Sequence, residues 1–224
     1  MEAADNGWLD ANIAGAIGRV KGCKNAGVRL GNWLTRAQVE KLLCAPDTTT
    51  MKGKRDRALL SVLIGCGLRR AELASLTFEH IQQREARWLI VDLLGKGQKL
   101  RSVPMPAGVK LMVDLWGAAA GFSTGRIFRS VNKGSRVIGE SLTPEGVFGA
   151  VRQYTRMSIE GARIAPHDLR RTFAKLAHSG KAPIEQIQLS LGHASIQTTE
   201  KYLGIQQDLQ DAPCDHLQID WLVA

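Results

Sequence analysis

The chain has 224 residues, of which 44% are apolar, and carries a formal net charge of +9. That apolar share suffices for one well-buried domain and excludes global disorder. No apolar run approaches the ~20 residues of a membrane span, and no basic-then-apolar leader opens the chain, so a cytoplasmic protein without membrane association is expected.

In chain order, Trp8 to Val20 shows apolar residues at helical spacing, too little for a domain of its own. Lys21 to Asn32 is rich in glycine and cations and reads as a linker. Thr35 is a good N-cap for a helix with Val39, Leu42 and Leu43 on one face. A longer helix is predicted over Lys54 to Ile64, ending where the glycines of "GCG" let the chain turn, and a shorter one starts near Leu68. Arg87 to Leu94 and Lys99 to Met105 read as strands joined by "GKGQ" in a hairpin with a basic tip, and "HIQQ" before them could add an edge strand. From Pro106 the pattern is helical: Ala107–Ala120, Thr143–Ile159, Asp168–His178, Pro183–Leu191 and Ser195–Leu203. Pro144 and Pro183 at first turns, and Gly121, Gly180 and Gly192 at ends, support these bounds. The predicted class is α+β, mainly helical, with one small three-stranded antiparallel sheet.

The charge is uneven. Residues 205 to 224 hold Asp208, Asp211, Asp215 and Asp220 and no lysine or arginine, which leaves 30 basic against 17 acidic residues in the remainder. A body so basic points to a polyanion, nucleic acid first; a generically basic solvated surface is the plainer alternative. Cys23, Cys44, Cys66 and Cys214 form no C-x-x-C pair and have no clustered histidines, which argues against both a zinc site and a disulfide framework. Cys66, inside an apolar run, is most simply a core residue.

Four segments could carry chemistry: "GLRRAEL" with Arg69 and Glu72, "GKGQKLR" with Lys96, "HDLRR" with His167 and Arg170, and "LGHASIQTTEKY" with His193 and Tyr202. Each has a bland explanation. The cations could be solvated, Glu72 could pair with a neighbour, and Tyr202 could be a packed ring with its hydroxyl hydrogen-bonded. Pro183 to Leu203 could be a DNA-reading helix-turn-helix. The combination is more pointed. A tyrosine with an ordinary pKa near ~10 is a poor nucleophile at neutral pH. It attacks a phosphodiester when cations bear the developing charge and other groups move the protons. Arginine suits the first task because its fork grips phosphate oxygens and stays charged. Two arginines, two histidines, a hairpin lysine and a carboxylate make such a set, and no acidic cluster suggests a metal.

These boxes resemble the catalytic domain of the tyrosine recombinase (phage integrase) family. "CGLRRAEL" is similar to its first arginine box, Gly95-Lys96-Gly97 to its hairpin-lysine box, and "HDLRRTFA" to its H-x-L-R box. "LGH…T-x-x-Y" keeps the family's nine-residue step from histidine to tyrosine. The boxes occur in family order from Arg69 to Tyr202. The resemblance implies Tyr202 as nucleophile, forming a 3′-phosphotyrosyl link and releasing a 5′-hydroxyl. It implies Arg69 and Arg170 on the non-bridging oxygens, Lys96 as the acid for the leaving oxygen, His167 as proton-transfer assistant and His193 hydrogen-bonded to the phosphate. Glu72 takes the place of the family's supporting acid. Arg70, Lys99, Arg101 and Arg171 are expected to contact DNA. Double-stranded DNA is the implied partner, with a homotetramer on synapsed sites and a monomer without DNA. No metal, cofactor or ATP is required.

The resemblance also sets domain expectations: residues 1–32 as the remnant helix of a core-binding domain plus linker, 33–204 as catalytic domain, and 205–224 as an acidic tail docking in cis or on a neighbour. Such a chain could be a fragment, a degraded mobile-element gene or an isolated catalytic domain. The competing functions are a non-catalytic helix-turn-helix DNA binder, an inactive relic, and a type IB topoisomerase that relaxes supercoils without exchanging partners.

Overall fold

The computed structural model describes Asp10, Ile13 and residues 32–95 and 100–204. The chain divides into two units, Met1–Leu30 and Gly31–Ala224, and the second carries the fold. The expected helix over Trp8 to Val20, the hairpin tip with Lys96 and Lys99, and the acidic tail lie outside the described residues.

Helix α1 (Arg36–Cys44) starts where predicted. The Thr35 hydroxyl accepts the Gln38 N–H, the Gln38 side chain accepts the Thr35 N–H, and Val39 and Leu42 are buried. Helix α2 (Met51–Cys66) is the central element, longer than expected and buried along nearly its whole length, Cys66 included. It stops at Gly67, whose φ of +61° is left-handed. Short helix α3 (Arg70–Ser75) follows, then a 3-10 turn at Phe78–His80.

The predicted sheet is present: β1 (Ile81–Arg84) pairs with β2 (Arg87–Leu94), which pairs with β3 (Leu100–Met105), all antiparallel. A bulge interrupts β2. Ile90 pairs with Val103 but Leu93 with Arg101, and Asp92 takes a φ of +54°. Along β3 burial alternates, so Arg101, Val103 and Met105 share the inward face.

Helix α4 spans Ala107–Ala120, as predicted, between Pro106 and left-handed Gly121. The sequence pattern predicts one sheet; the structure adds a two-stranded ribbon, β4 (Ser130–Val131) with β5 (Val137–Ile138). Strands of two residues carry no alternation to detect. Helices α5 (Pro144–Ser158), α6 (Pro166–Ser179), α7 (Ile184–Leu191) and α8 (Ile196–Leu203) complete the described fold. Pro183 precedes α7 as its N-cap instead of standing in its first turn, and Gly180 ends α6 at an ordinary φ of −84°.

Two hydrophobic clusters result. The large one gathers α1 to α5, the main sheet and the start of α6 through Leu169. The small one holds Ala174, Ile187, Leu191 and Leu203, with Phe173 and Tyr202 packed against it. Helix α6 contributes to both.

Candidate active site

The first piece of the site stands where α2 turns into α3. Gly67 is required on two counts: its backbone is left-handed, and a Cβ there would lie 2.6 Å from the Phe173 ring. Buried Leu68 and Leu73 anchor the turn on either side of Arg69. Glu72, also buried, accepts the Arg69 backbone N–H at 2.8 Å and the Arg69 guanidinium at 2.7 Å. Burial opposes its charge, but hydrogen bonds from Arg101 and Arg69 prevail and hold the carboxyl down at about 2.

The second piece is the first turn of α6. Pro166 opens it, and the Asp168 carboxylate accepts the Ala165 N–H at 2.9 Å. His167 and Arg170 are three residues apart and share a face. Arg170 is only 1% exposed. Its Nη1 donates to the Gly67 carbonyl at 2.6 Å and its Nη2 to the Leu191 carbonyl. Guanidinium has five N–H groups, so three remain after these two bonds. Desolvation and the nearby Arg69 charge pull Arg170 down to about 10, which leaves it cationic at neutral pH.

The third piece is the α7–α8 turn. Gly192 caps α7 with a φ of +62°, and a Cβ there would meet the Arg101 Cδ at 2.9 Å. His193 follows; its Nδ1 lies 3.0 Å from the Thr199 hydroxyl, which sits fully buried on α8. Ser195 caps α8 by accepting the Gln197 N–H. Two turns on, Tyr202 projects between both histidines. Its ring meets His167 edge-on at 5.4 Å and His193 at 5.3 Å, and the Arg171 guanidinium covers it at 4.8 Å. The Tyr202 hydroxyl donates to the His167 carbonyl at 3.2 Å.

The chain's other tyrosine is a useful contrast. Tyr154 is 4% exposed and donates to the Asp56 carboxylate at 3.0 Å, in a group with buried Arg55 and the part-exposed Lys52 that ties α5 to α2. Burial and the Asp56 charge push its phenol up. Tyr202 is raised by burial too, but Arg170, Arg171 and Arg69 pull the other way, so only Tyr202 stands in a field that favours its anion. His193 is pulled down to about 4, by desolvation first and then by Arg170 and Arg69. His167 is lowered by partial desolvation and by Arg171 and Arg170. Both rings are therefore neutral at pH 7 and can accept a proton.

The six described residues among the expected catalytic and supporting set are linked in one group: Arg69 to Glu72, Arg170 to the Gly67 and Leu191 carbonyls beside Arg69 and His193, and Tyr202 to the rings of His167 and His193. Arg69, Arg70, His167 and Arg170 line a pocket of about 360 Å³ with Phe148, Ala165 and Pro166. Lys96 and Lys99 are outside the described residues. Of the other expected DNA contacts, Arg70 is exposed and stacks over Phe148 at 6.0 Å, and Arg171 covers Tyr202. Arg101 is turned inward: it is 10% exposed, with its fork on Glu72 and its Nε on the Ser190 carbonyl. Sequence reasoning assigned no role to Thr199, although it is the threonine of T-x-x-Y. Among the described residues, no group of three His, Cys, Asp or Glu side chains could hold a metal ion. No helix among them is long and apolar enough to cross a membrane.

Fold and site together define the catalytic domain of a tyrosine recombinase. Residues 32–208 match the phage integrase family, and the chain belongs to it. It is 33% identical over 174 residues to the tyrosine recombinase XerD of Pseudomonas putida, which covers 77% of this chain and 57% of that one. It is 34% identical over 171 residues to the XerC of Myxococcus xanthus, covering 75% and 56%. The chain thus spans less than two thirds of the length of these relatives. Among solved structures, XerA recombinase superposes with a TM-score of 0.64 at 23% identity, over 80% of this chain and 62% of that one. XerH bound to difH substrate gives 0.65 at 22%, over 82% and 53%. The Tn1549 transposon integrase with circular intermediate DNA gives 0.63 at 19%, over 94% and 77%. At these identities the likeness is one of fold.

Proposed function

We propose that this chain is the catalytic part of a site-specific DNA recombinase that cleaves and rejoins strands through Tyr202. One observation carries the proposal: the Tyr202 ring stands between two neutral imidazoles, in the field of Arg69, Arg170 and Arg171, and His167 also lines a pocket with Arg69, Arg70 and Arg170. Tyr202 Oη attacks the scissile phosphorus while its proton passes to a neutral histidine, His167 in the role the resemblance gives it. Arg69 and the free N–H groups of Arg170 stabilise the added charge on the non-bridging oxygens. The 5′-oxygen leaves with a proton, from Lys96 in the role the resemblance gives it. The phosphodiester is conserved as a 3′-phosphotyrosine, so no nucleotide need be consumed. Attack by the 5′-hydroxyl of another strand reverses the step. The partner is double-stranded DNA, the working assembly a homotetramer on two sites, the setting cytoplasmic, and the catalytic domain residues 33–204.

Covalent trapping tests this. The protein is incubated with supercoiled DNA that includes the DNA flanking its own gene, without added metal, and quenched with SDS. The expected product is protein bound to a 3′-end opposite a free 5′-hydroxyl, present in wild type and absent in Tyr202→Phe, with DNA binding retained in both. An adduct that survives in Tyr202→Phe overturns the assignment. No adduct at all, even after an N-terminal core-binding domain is fused to the chain, overturns the activity.

A further inference from the structure

Arg101 was expected on the DNA surface, yet every bond it makes is to the protein. It lies on β3, on the inward face it shares with Val103 and Met105. Its Nη1 donates to one Glu72 oxygen and its Nη2 to the other, both at 2.9 Å. Its Nε donates to the Ser190 carbonyl at 3.1 Å. Its Cδ packs where a Cβ on Gly192 would be, one residue before His193. The β2 bulge sets this up by shifting the register, so that Arg101 faces Leu93.

Two consequences follow from that placement. The Glu72 oxygen that takes Arg101 Nη1 is also the one that takes Arg69 Nη1, so the two arginines compete for and jointly fix one carboxylate. The Ser190 carbonyl belongs to the last turn of α7, where carbonyls lack helical partners and the helix dipole is negative. A cation there satisfies an orphan acceptor and holds the turn that presents His193.

We propose that Arg101 is a positioning residue of the strand-cleavage site: its guanidinium locks Glu72, and through it Arg69, against the α7–α8 turn that carries His193. It also joins this lock to β3, the strand that leads out of the Lys96 hairpin. A lysine cannot replace it, because one ammonium cannot bridge both carboxylate oxygens and the Ser190 carbonyl in a fixed plane.

The inference rests on the strand-cleavage proposal, so it needs one readout that depends on cleavage and one that does not. The first is the rate of adduct formation on nicked DNA at saturating and at limiting DNA. For Arg101→Met, the rate at saturation should fall on the order of 10²-fold, as for a sub-ångström to ångström displacement of a catalytic group. DNA affinity should stay within about threefold of wild type, because Arg101 touches the protein and not the DNA surface. Arg101→Lys should lose cleavage as well.

The second readout is the His193 ring titration by NMR, with His80 as an internal reference. Arg101 is one of the charges that lowers His193. Arg101→Met should raise the His193 midpoint, since it removes a nearby cation. Arg101→Lys, which keeps the charge, should leave it near wild type. Charge and geometry are thereby separated in one pair of variants, with thermal melts confirming that both fold. Wild-type cleavage by Arg101→Met, or an unmoved His193 midpoint in that variant, overturns the proposal. Failure of wild type to form any adduct overturns the cleavage reading instead; the lock is then decided by amide exchange in the α7–α8 turn, which both variants should speed and which unchanged protection in both would overturn.

Discussion

The two halves of the site stand on cores of very different size. Arg69 and Glu72 are set by Leu68 and Leu73, in a cluster that runs through α1 to α5 and the main sheet. Tyr202 packs on four buried residues from α6, α7 and α8. Apolar burial is the main source of stability, so the cation-bearing half should open only with the whole domain and the nucleophile half on its own. Few bonds cross the seam. Arg170 spans it from the Gly67 carbonyl to the Leu191 carbonyl, and Arg101 from Glu72 to the Ser190 carbonyl. Both arginines end on the C-terminal carbonyls of α7. Charge therefore joins the apolar contacts of α6 in fastening the tyrosine to the phosphate-binding groups.

The largest break in that comparison should come from Arg170→Ala. It removes a transition-state cation and leaves two carbonyls at the seam without donors, at about 1–3 kcal/mol each. Adduct formation should drop by about 10³-fold or more in the trapping assay, with a lowered melting temperature alongside. Cleavage close to wild type would remove Arg170 from the site. Next in size is Leu203→Ala, in the small cluster, where Leu203 is 1% exposed. A buried Leu→Ala costs about 2–4 kcal/mol. If the small cluster opens by itself, amides of α8 should exchange ~10²-fold faster or more while those of α2 keep their protection. Equal acceleration in α2 would show one cooperative unit and no division.

Much of this was legible in the sequence, and the misses have physical causes. Pro106 and Gly121 bound α4 because each restricts or frees the backbone at a helix end, and β2 and β3 stood out as two strand-like runs on either side of the glycine-rich "GKGQ". The β4–β5 ribbon did not, since two residues make no period. The histidines, Arg170 and Tyr202 stood out by residue type and spacing, but their wiring did not. Arg170 bonds to backbone carbonyls 103 and 21 residues away, and a carbonyl has no sequence signature. Arg101 was grouped with the surface cations beside an exposed hairpin. The alternation Arg101, Val103, Met105 was the signal that it faces inward.

The subtlest way to sharpen the comparison is pH. His193 titrates at about 4 when folded against an ordinary 6.5, mainly because burial and the Arg170 charge disfavour its cation. Between these values the unfolded chain binds a proton that the folded one refuses. Stability from His193 is therefore complete above pH 6.5 and is lost as pH falls toward 4. His167 is lowered too and acts with the same sign. Glu72 is held at about 2 against an ordinary 4.5, so its contribution starts to fade only below pH 4.5. From pH 6.5 to 4.5 the histidine half should weaken while the Glu72 lock stays whole. Hydrogen exchange, corrected for its intrinsic pH dependence, should show protection falling in α8 across that window and holding in α3. His193→Asn should flatten the α8 slope, because it removes the larger of the two titrations. An equal loss in both helices, or an α8 slope indifferent to that substitution, would mean that protons do not distinguish the halves and that the seam is not where acid first acts.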